Sequence, residues 1–573
     1  MKLLSLHCDY IKFRAVKSAL KSVELKEEDK KEKLVKECLV ILTAVEKGDS
    51  IEIVKEYVKN IEDIAKQVKA SSIVLYPYAH LSSNLAFPDV AIKVLEEAEK
   101  VLKKDKLNVI RAPFGVYKEF ELKCKGHPLS ELSRELTVDG KKVESKEKVL
   151  NVEELYDPKK LLREISKSRL DTAKLKENDH RILGQQMDLF SFNEVAPGMV
   201  FLHNNGLIIY NELVKFWREL HRKEGYQEVS TPQILDKKLW QISGHWEKYK
   251  ENIFLTGYEG REFVVKPMNC PGGMLIYKSS PKSYKDLPLR VGELGIVHRQ
   301  ELSGVLAGLF RVIKFTQDDA HIFCTEEQLE SEIILIIDMI DKLYKKFDLP
   351  FDHVELSTRP EKRIGSDDIW DKAESILEKV LKKKKMNYKL NKGDGAFYGP
   401  KIDFHAKDSQ GRTWQLSTIQ LDFAMPERFD LTYTDKDNRQ KRPVMVHRVI
   451  YGAIERFMGI LLEHMNGRLP TWLAPVQVRV LNFTDRNIDY TKKIIKQLRE
   501  ELPELRLEAD FTQTTVQSKV KDAEILRVPW VILVGDKEQE KKALAIRHDG
   551  EVKYNVSIDK FIKQLRELIE ERK

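Results

Sequence analysis

The sequence is poor in cysteine: 573 residues carry five, Cys8, Cys38, Cys124, Cys270 and Cys324, with no CxxC pair. An odd, scattered set argues against both a disulfide framework and a zinc finger, so any metal has to be collected from distant segments. Long apolar runs are absent too, and MKLLSLHCDY reaches Asp9 too soon to be a secretory signal. With 33% charged residues, the chain reads as a soluble, cytoplasmic protein with no membrane partner. Neither sign of charge dominates: 99 Lys and Arg against 91 Asp and Glu give a net +8, compatible with an RNA partner but not diagnostic of one. There is no internal repeat and no low-complexity tract.

A chain of this length exceeds one hydrophobic core, and ordinary domain sizes predict three or four units. Residues 3–13 read as a strand, 31–45 as a helix and 73–78 (IVLYPY) as a buried strand. A helix is predicted over 90–104, with Val90, Val94, Val101 and Leu102 among its apolar positions, so the first unit is α/β. From Asp139 to Asp179 the text turns lysine- and glutamate-rich (KKVESKEKVL, YDPKKLLREISKSR), as in a helical linker. After residue 474, strand and helix alternate again: VQVRVLNF, DYTKKIIKQLREEL, LRLEADF, a helix, then VPWVILVG. The expected organisation is 1–143, a charged linker over 144–190, a mixed block over 191–473 and a last α/β unit over 474–573.

Within the middle block, VVKPMNCPGGM (264–274) frames Cys270 between Pro267 and Pro271-Gly272-Gly273. The framing predicts a thiol held at the end of a strand; a plain core cysteine is the alternative reading. Further on, Arg299-Gln300-Glu301 precedes a glycine-containing loop and Arg311-Val-Ile-Lys-Phe315. Arginine offers a rigid donor fork for a phosphate, glutamate an acceptor for an amino group and phenylalanine a stacking face. That is a nucleotide site in outline, although the same residues suit a surface hairpin with ion pairs.

GYQEVSTP, ending in Pro232, the Arg299–Phe315 segment and GAIERF, carrying Arg456, resemble in order motifs 1, 2 and 3 of the class II aminoacyl-tRNA synthetases. SGHWEKY, KPMNCPGG, FTQDDAHIFCTEEQ, LSTRPEKRIGSDDIWDKAE, GAFYGPKIDF, WQLSTIQLDF and PVMVHRVIYGAIERF are similar to segments of the threonyl-tRNA synthetase family, from about residue 178 onward. The resemblance implies a multidomain α/β and α+β protein with a class II antiparallel-sheet catalytic core and an α/β anticodon-binding C-terminal domain. It implies ATP-dependent ligation of L-threonine to tRNA(Thr) through threonyl-adenylate, in a homodimer expected from the Pro232 segment.

On that resemblance Cys270, His321 and His447, 51 and 126 residues apart, are ligands of one catalytic Zn2+ per chain. Three protein ligands leave a position open for substrate. Zinc that takes the amino group and the hydroxyl together rejects valine, a distinction an apolar pocket makes poorly. Asp319 is then the expected partner of the substrate amino group and hydroxyl, with Gln317 and Gln415 lining the pocket and Tyr398 closing over it. Arg299 is assigned to the α-phosphate, Arg311 and Arg456 to the γ-phosphate end, Glu301 to the adenine amino group and Phe315 to stacking. Mg2+ is expected with ATP. His245 matches a histidine near the ribose hydroxyls, and Lys401 of GAFYGPKIDF joins the catalytic set. The chain departs from the family pattern at Gln300, Gly273, Leu416 and Ala453, and DFTQTTVQSKV (510–520) replaces an acidic-basic segment; Arg527 is a candidate for anticodon contact.

In the first unit LHCDYI, YPYAHLSS, RAPFGVYKEF and CKGHPLSELSR resemble the archaeal editing domain, whose fold is that of the D-aminoacyl-tRNA deacylases. His80, Tyr117, Lys118 and Glu131 fall on that pattern, while Val116 stands where tyrosine is common. The implied activity is metal-free hydrolysis of mischarged seryl-tRNA(Thr). Serine carries both groups that zinc reads and lacks only a methyl, a difference of about 1–3 kcal/mol or roughly 10–200-fold, which calls for a second hydrolytic site. A non-catalytic tRNA- or mRNA-binding paralogue and a free-standing deacylase are the competing readings. The retained zinc ligands and motif arginines disfavour both.

Overall fold

The computed structural model describes residues 1–19, 25, 27–82, 84–104, 108–136, 162 and 175–573. The boundary predicted near 143 and most of the predicted charged linker lie outside these. The chain divides into two units, Met1–Val152 and Glu153–Lys573.

In the first unit the strands are β1 (Lys2–Ser18), β2 (Lys33–Ala44), β3 (Ser72–Pro77), β4 (Asn108–Arg111), β5 (Val116–Cys124) and β6 (Glu131–Glu135). They form one sheet in the order β4-β3-β2-β1-β5, with β6 also paired to β1. Helices α1 (Val54–Val68) and α2 (Pro88–Lys104) pack Ile61, Ile64, Val94 and Leu95 against Leu39, Ile41, Ile73 and Leu75 of the sheet. The helix predicted over 31–45 is therefore corrected to β2. Its second half, CLVILTA, is a continuous apolar run buried on both faces of the sheet between β1 and β3, and such a run carries no period that separates strand from helix.

The second unit is built on an eight-stranded sheet: β7 (Gln227–Glu228), β8 (Leu289–His298), β9 (Lys314–Cys324), β10 (Phe351–Ser357), β11 (Tyr388–Asn391), β12 (Lys401–Lys407), β13 (Thr413–Asp422) and β14 (Val444–Val449). Its order is β11-β10-β12-β13-β14-β9-β8-β7, antiparallel except for the two edge pairs. Residues alternate across it. Ile322, Val354, Leu356, Ile402, Phe404 and Val446 face a core shared with α3 (Asn204–Lys223), α5 (Leu329–Lys346), α6 (Asp367–Lys383) and α7 (Ile454–His464). The other face carries Gln317, Asp319, His321, Asp403 and His447, since successive strand side chains point to opposite sides.

Cys270 opens a helix, α4 (Cys270–Lys278), rather than closing a strand; the preceding strand ends at Val265. The reason is that Pro271 falls in the first turn, where a missing N–H costs no helical hydrogen bond.

The C-terminal part holds β15 (Val478–Asn482), β16 (Leu507–Asp510), β17 (Trp530–Val534), β18 (Leu544–His548) and β19 (Glu551–Val556), ordered β16-β15-β17-β18-β19 and packed with α8 (Ile488–Glu501), α9 (Val516–Ile525) and α10 (Ile558–Glu570). Its strand–helix alternation is the one predicted. Among the described residues, no helix is long and apolar enough to cross a membrane.

Candidate active site and metal centre

Ladder register brings the histidines together. His321 on β9 stands opposite His447 on β14, and the ring centroids are 5.1 Å apart at 86°. Cys270 arrives from the first turn of α4, and one ligand atom from each of the three lies within 4.8 Å of the others, all buried. Gly272 and Gly273 permit this approach: a Cβ on Gly272 would lie 2.8 Å from Thr231 Cγ2, and one on Gly273 3.4 Å from His321 Nδ1.

The donor set fits a zinc ion. His321 Nε2 is buried and has no hydrogen-bond partner. Burial, reinforced by His447, holds the His321 imidazole well below its ordinary value, so it is neutral as a ligand must be. His447 Nε2 is 2.8 Å from Asp422 Oδ2, and Asp422 Oδ1 accepts the N–H groups of Ala424 and Met425, so a fixed carboxylate orients the imidazole. Burial, with Asp319 and Asp422 nearby, pushes the Cys270 thiol well up; a divalent cation is what would favour the thiolate there.

Around this trio, Asp319 is buried and Oδ2 accepts from Asn269 Nδ2 at 3.2 Å. The Tyr398 ring lies 5.2 Å from that of His447 and 6.2 Å from that of His245. His245 is buried, with Nδ1 2.8 Å from Ser243 Oγ and no partner at Nε2. Burial, with His447 and Arg299 adding to it, lowers His245 to about 3, so it is a neutral imidazole near neutral pH.

Beside the trio, a cavity of about 440 Å³ is lined by Arg299, Glu301, Arg311, Phe315, Gln317, Gln415 and Arg456, together with Leu416 and Ala453. The β8–β9 hairpin supplies the first five residues, β13 Gln415 and α7 Arg456. The Arg299 guanidinium lies 5.3 Å from the Phe315 ring centroid, and its Nε donates to Pro267 O. Arg311 holds Glu301 through Nε and Nη2 at 3.1 and 2.9 Å. Arg456 Nε is buried without a partner; burial and then Arg311 hold this guanidinium below its ordinary value. Two unopposed guanidinium groups in a half-enclosed cavity suit a polyanion. Lys401 does not line this cavity: Nζ is paired with Asp394 at 3.0 Å and with Asp403, whose Oδ1 accepts from Gln415 Nε2 at 2.7 Å.

In the first unit a cavity of about 430 Å³ is lined by His80, Val116, Tyr117 and Lys118 with Tyr76 and Phe120. Lys118 Nζ donates to Pro113 O at 2.9 Å and sits 4.9 Å from the Tyr76 ring centroid. Burial lowers this lysine to about 8. Glu131, on β6 opposite Leu6 of β1, is exposed and outside the cavity lining.

Several residues that position the site escape the sequence reading. Asp318, fully buried beside Asp319, accepts the N–H groups of Ile450, Tyr451 and Gly452 at 3.0 Å each and so fixes the turn leading into α7 and Arg456. Burial pushes it up to about 7 against the pull of Arg448 and these N–H groups. Glu293 Oε1 accepts from Thr231 N and Oγ1 and from Lys266 Nζ at 2.8–2.9 Å, fastening the segment before Pro232 to β8. The Asp318-Asp319 doublet was the available signal: on a buried strand, two adjacent acids face opposite sides, and both need partners.

A six-strand antiparallel core with parallel edge strands, a β-hairpin presenting arginines and a helix presenting another over one cavity define a class II aminoacyl-tRNA synthetase core. Residues 254–465 match the class II tRNA synthetase core domain (G, H, P, S and T), 1–136 the Archaea-specific editing domain of threonyl-tRNA synthetase and 477–568 an anticodon binding domain. The chain is 50% identical over 416 residues to a threonine–tRNA ligase of Desulforamulus reducens, covering 72% of this chain and 65% of that protein. A threonine–tRNA ligase of Desulfatibacillum aliphaticivorans is 53% identical over 398 residues, 69% of this chain and 62% of that one, so the chain spans a little under two thirds of these relatives' length. A crystal structure titled as the RNA binding domain of threonyl-tRNA synthetase from Cryptosporidium parvum superposes with a TM-score of 0.66 at 38% identity, over 68% of this chain and 98% of that one. The chain belongs to the threonyl-tRNA synthetase family.

Proposed function

We propose that this protein ligates L-threonine to tRNA(Thr) through threonyl-adenylate and that its first domain, residues 1–143, hydrolyses seryl-tRNA(Thr). The observation that carries the first half is the convergence of Cys270, His321 and His447 beside a cavity lined by Arg299, Arg311 and Arg456. Cys270, His321 and His447 would hold a zinc ion that, expanding to five-coordinate, could take both the amino group and the hydroxyl of threonine, whereas valine offers only the amino group. Asp319, held by Asn269, accepts an N–H of the substrate amino group. ATP enters the arginine-lined cavity with Mg2+; Phe315 stacks the adenine, and Glu301 accepts from its amino group once Arg311 swings to the γ-phosphate. Charge develops on the α-phosphate as the threonine carboxylate attacks, and Arg299, placed beforehand, stabilises it without reorganisation. His245, neutral and with Nε2 unpartnered, accepts a hydrogen bond from the ribose hydroxyl during transfer. The protein acts as a cytoplasmic homodimer in this reading.

The first domain answers the serine problem. Lys118, lowered to about 8 by burial, is a cation near neutral pH at the wall of a mostly apolar cavity, suited to hold water or the ester carbonyl oxygen. The test is amino-acid-dependent exchange of pyrophosphate into ATP: threonine supports it, serine supports it weakly and valine does not. No exchange with any of the three overturns the ligase reading, and strong exchange with valine overturns the zinc reading alone.

A further inference from the structure

On the open face of the main sheet, away from the Cys270 cluster, His353 and Glu355 of β10 stand two residues apart, and His405 of β12 is directly opposite His353. Their ligand atoms lie within 4.8 Å of one another, and each residue is partly buried. The imidazole rings are stacked with centroids 4.2 Å apart and an interplanar angle of 12°. His353 has a carboxylate at each ring nitrogen: Nδ1 is 2.7 Å from Asp352 Oδ2 and Nε2 is 3.2 Å from Glu355 Oε1. His405 Nε2 is buried without a hydrogen-bond partner, 3.8 Å from Glu355 Oε2. Thr413 Oγ1 and Asn391 Nδ2 each donate at 3.0 Å, to Asp352 Oδ2 and Glu355 Oε2, so both carboxylates are held in place.

Protonating His353 alone satisfies both carboxylates but leaves the buried His405 Nε2 without a partner. A neutral imidazole has one N–H and one lone pair, so His353 cannot donate to both carboxylates unless it is charged. Charging His405 as well would set two imidazolium rings face to face. A divalent cation between the two Nε2 atoms and Glu355 resolves the conflict. Asp352 then takes the Nδ1–H of His353, fixes the tautomer and leaves the Nε2 lone pair for the metal, the role a carboxylate plays behind many ligating histidines.

We propose that His353, Glu355 and His405 form a second metal site, for a first-row divalent cation of the zinc type, independent of the one at Cys270. Two imidazoles and a carboxylate are a borderline donor set that prefers Zn2+, Ni2+ or Cu2+ to Mg2+ or Ca2+, and partial exposure leaves room for water to complete a tetrahedron. Binding turns the two rings out of their stacked alignment so that both lone pairs meet at one point. His405 is paired across the sheet with Gln415, which lines the nucleotide cavity, while none of the three ligands lines it.

The experiment uses the full chain, stripped with chelator and equilibrated with Zn2+ in the presence of excess Mg2+. The unaltered chain is expected to retain one more zinc per chain than His405→Gln, and Cys270→Ser is expected to keep the equivalent that His405→Gln loses. Saturation of the unaltered chain with Co2+ supplies a readout that needs no variant: d–d absorption from the second equivalent, with no further thiolate-to-cobalt charge transfer. Equal zinc in the unaltered chain and His405→Gln, or cobalt absorption that ends with the thiolate site, overturns the proposal whatever the Cys270 cluster binds.

Discussion

Asp318 offers the sharpest test of how the nucleotide cavity is held. It touches no cavity-lining charge directly, yet it accepts the N–H groups of three successive residues, Ile450, Tyr451 and Gly452, and α7 begins two residues later. Asp318→Ala strands these donors. Those of Ile450 and Tyr451 belong to fully buried residues, and each unsatisfied buried N–H costs about 1–3 kcal/mol, so the turn loses about 2–6 kcal/mol of support. Buried Arg448 loses its counter-charge as well. Asp318→Asn preserves shape and one acceptor oxygen while turning an amide N–H₂ toward the remaining donors, and about 1–3 kcal/mol is the expected loss. If even that smaller amount falls on the placement of Arg456, pyrophosphate exchange slows by about 5- to 150-fold at saturating threonine. The assay is exchange kinetics for the parent, Asp318→Asn and Asp318→Ala, with KM for ATP and for threonine measured separately. The expected result is a graded fall in kcat and a raised KM for ATP, with the threonine KM within about threefold of the parent. An Asn variant with the parent's kcat, or a loss confined to the threonine KM, refutes the view that this carboxylate acts through the turn before α7.

Four further outcomes are expected. Cys270→Ser and His447→Ala each lower zinc content and threonine activation, because two remaining ligands hold the ion poorly; atomic emission measures the first, and full retention in both variants removes these residues from the ligand set. Arg299→Ala cuts adenylate formation far more than threonine binding, as seen by exchange against calorimetric titration; unchanged exchange with weakened tRNA affinity contradicts the nucleotide assignment. Gly295→Ala places a Cβ 2.1 Å from Asn269 Oδ1, which displaces the side chain holding Asp319, so threonine KM rises while the unfolding temperature shifts by only a few degrees; an unchanged KM shows that Asn269 is not needed there. Lys118, lowered to about 8, binds fewer protons folded than unfolded between about 8 and its ordinary 10.5, so first-domain stability rises with pH across that window, whereas seryl-tRNA hydrolysis, corrected for the uncatalysed rate, falls above about 8 as the ammonium discharges. Lys118→Met should lack both dependences, and persistence of either in the variant assigns it to another group.

What the sequence made legible are positions where local physics admits few residue types. The C-terminal alternation of strands and helices was readable because β17 is a short apolar run bounded by turns, β15 alternates valine with a charged residue, and α8 and α10 carry strongly amphipathic text. The arginines of the β8–β9 hairpin and α7 were readable because their motifs surround them. β2 was misread because burial on both faces erases the alternation that identifies a strand, leaving length and composition to decide, and its lysine-rich start resembles the solvent side of a helix. Cys270 was placed on the wrong element for a different reason: Pro and Gly punctuate chains at helix starts as well as at strand ends, and which one applies depends on Thr231 and His321 packing against Gly272 and Gly273, contacts 41 and 48 residues away in sequence.

The residues that were invisible share a property. Asp318, Asn269, Glu293 and Asp422 are buried polar groups whose partners are backbone N–H groups or other side chains of the site. Each is expensive to bury alone and inexpensive once paired, so its presence in a core implies a partner without indicating where the partner is. The partners are set by sheet register: β9 against β14 places His321 by His447, β8 against β9 sets Gly295 opposite Gln317, and only then does Asn269 find the gap that Gly295 leaves. A strand read in isolation therefore reveals that Asp318 and Asp319 face opposite ways, and hence that both sides of the sheet at this point are polar in a place where the helix-facing side should be apolar. That conflict is itself information. It marks the position where the hydrophobic pattern yields to a turn that must be fixed for Arg456 to reach the cavity, and it makes an acidic doublet within an otherwise apolar strand the first place to look for a residue that positions rather than reacts.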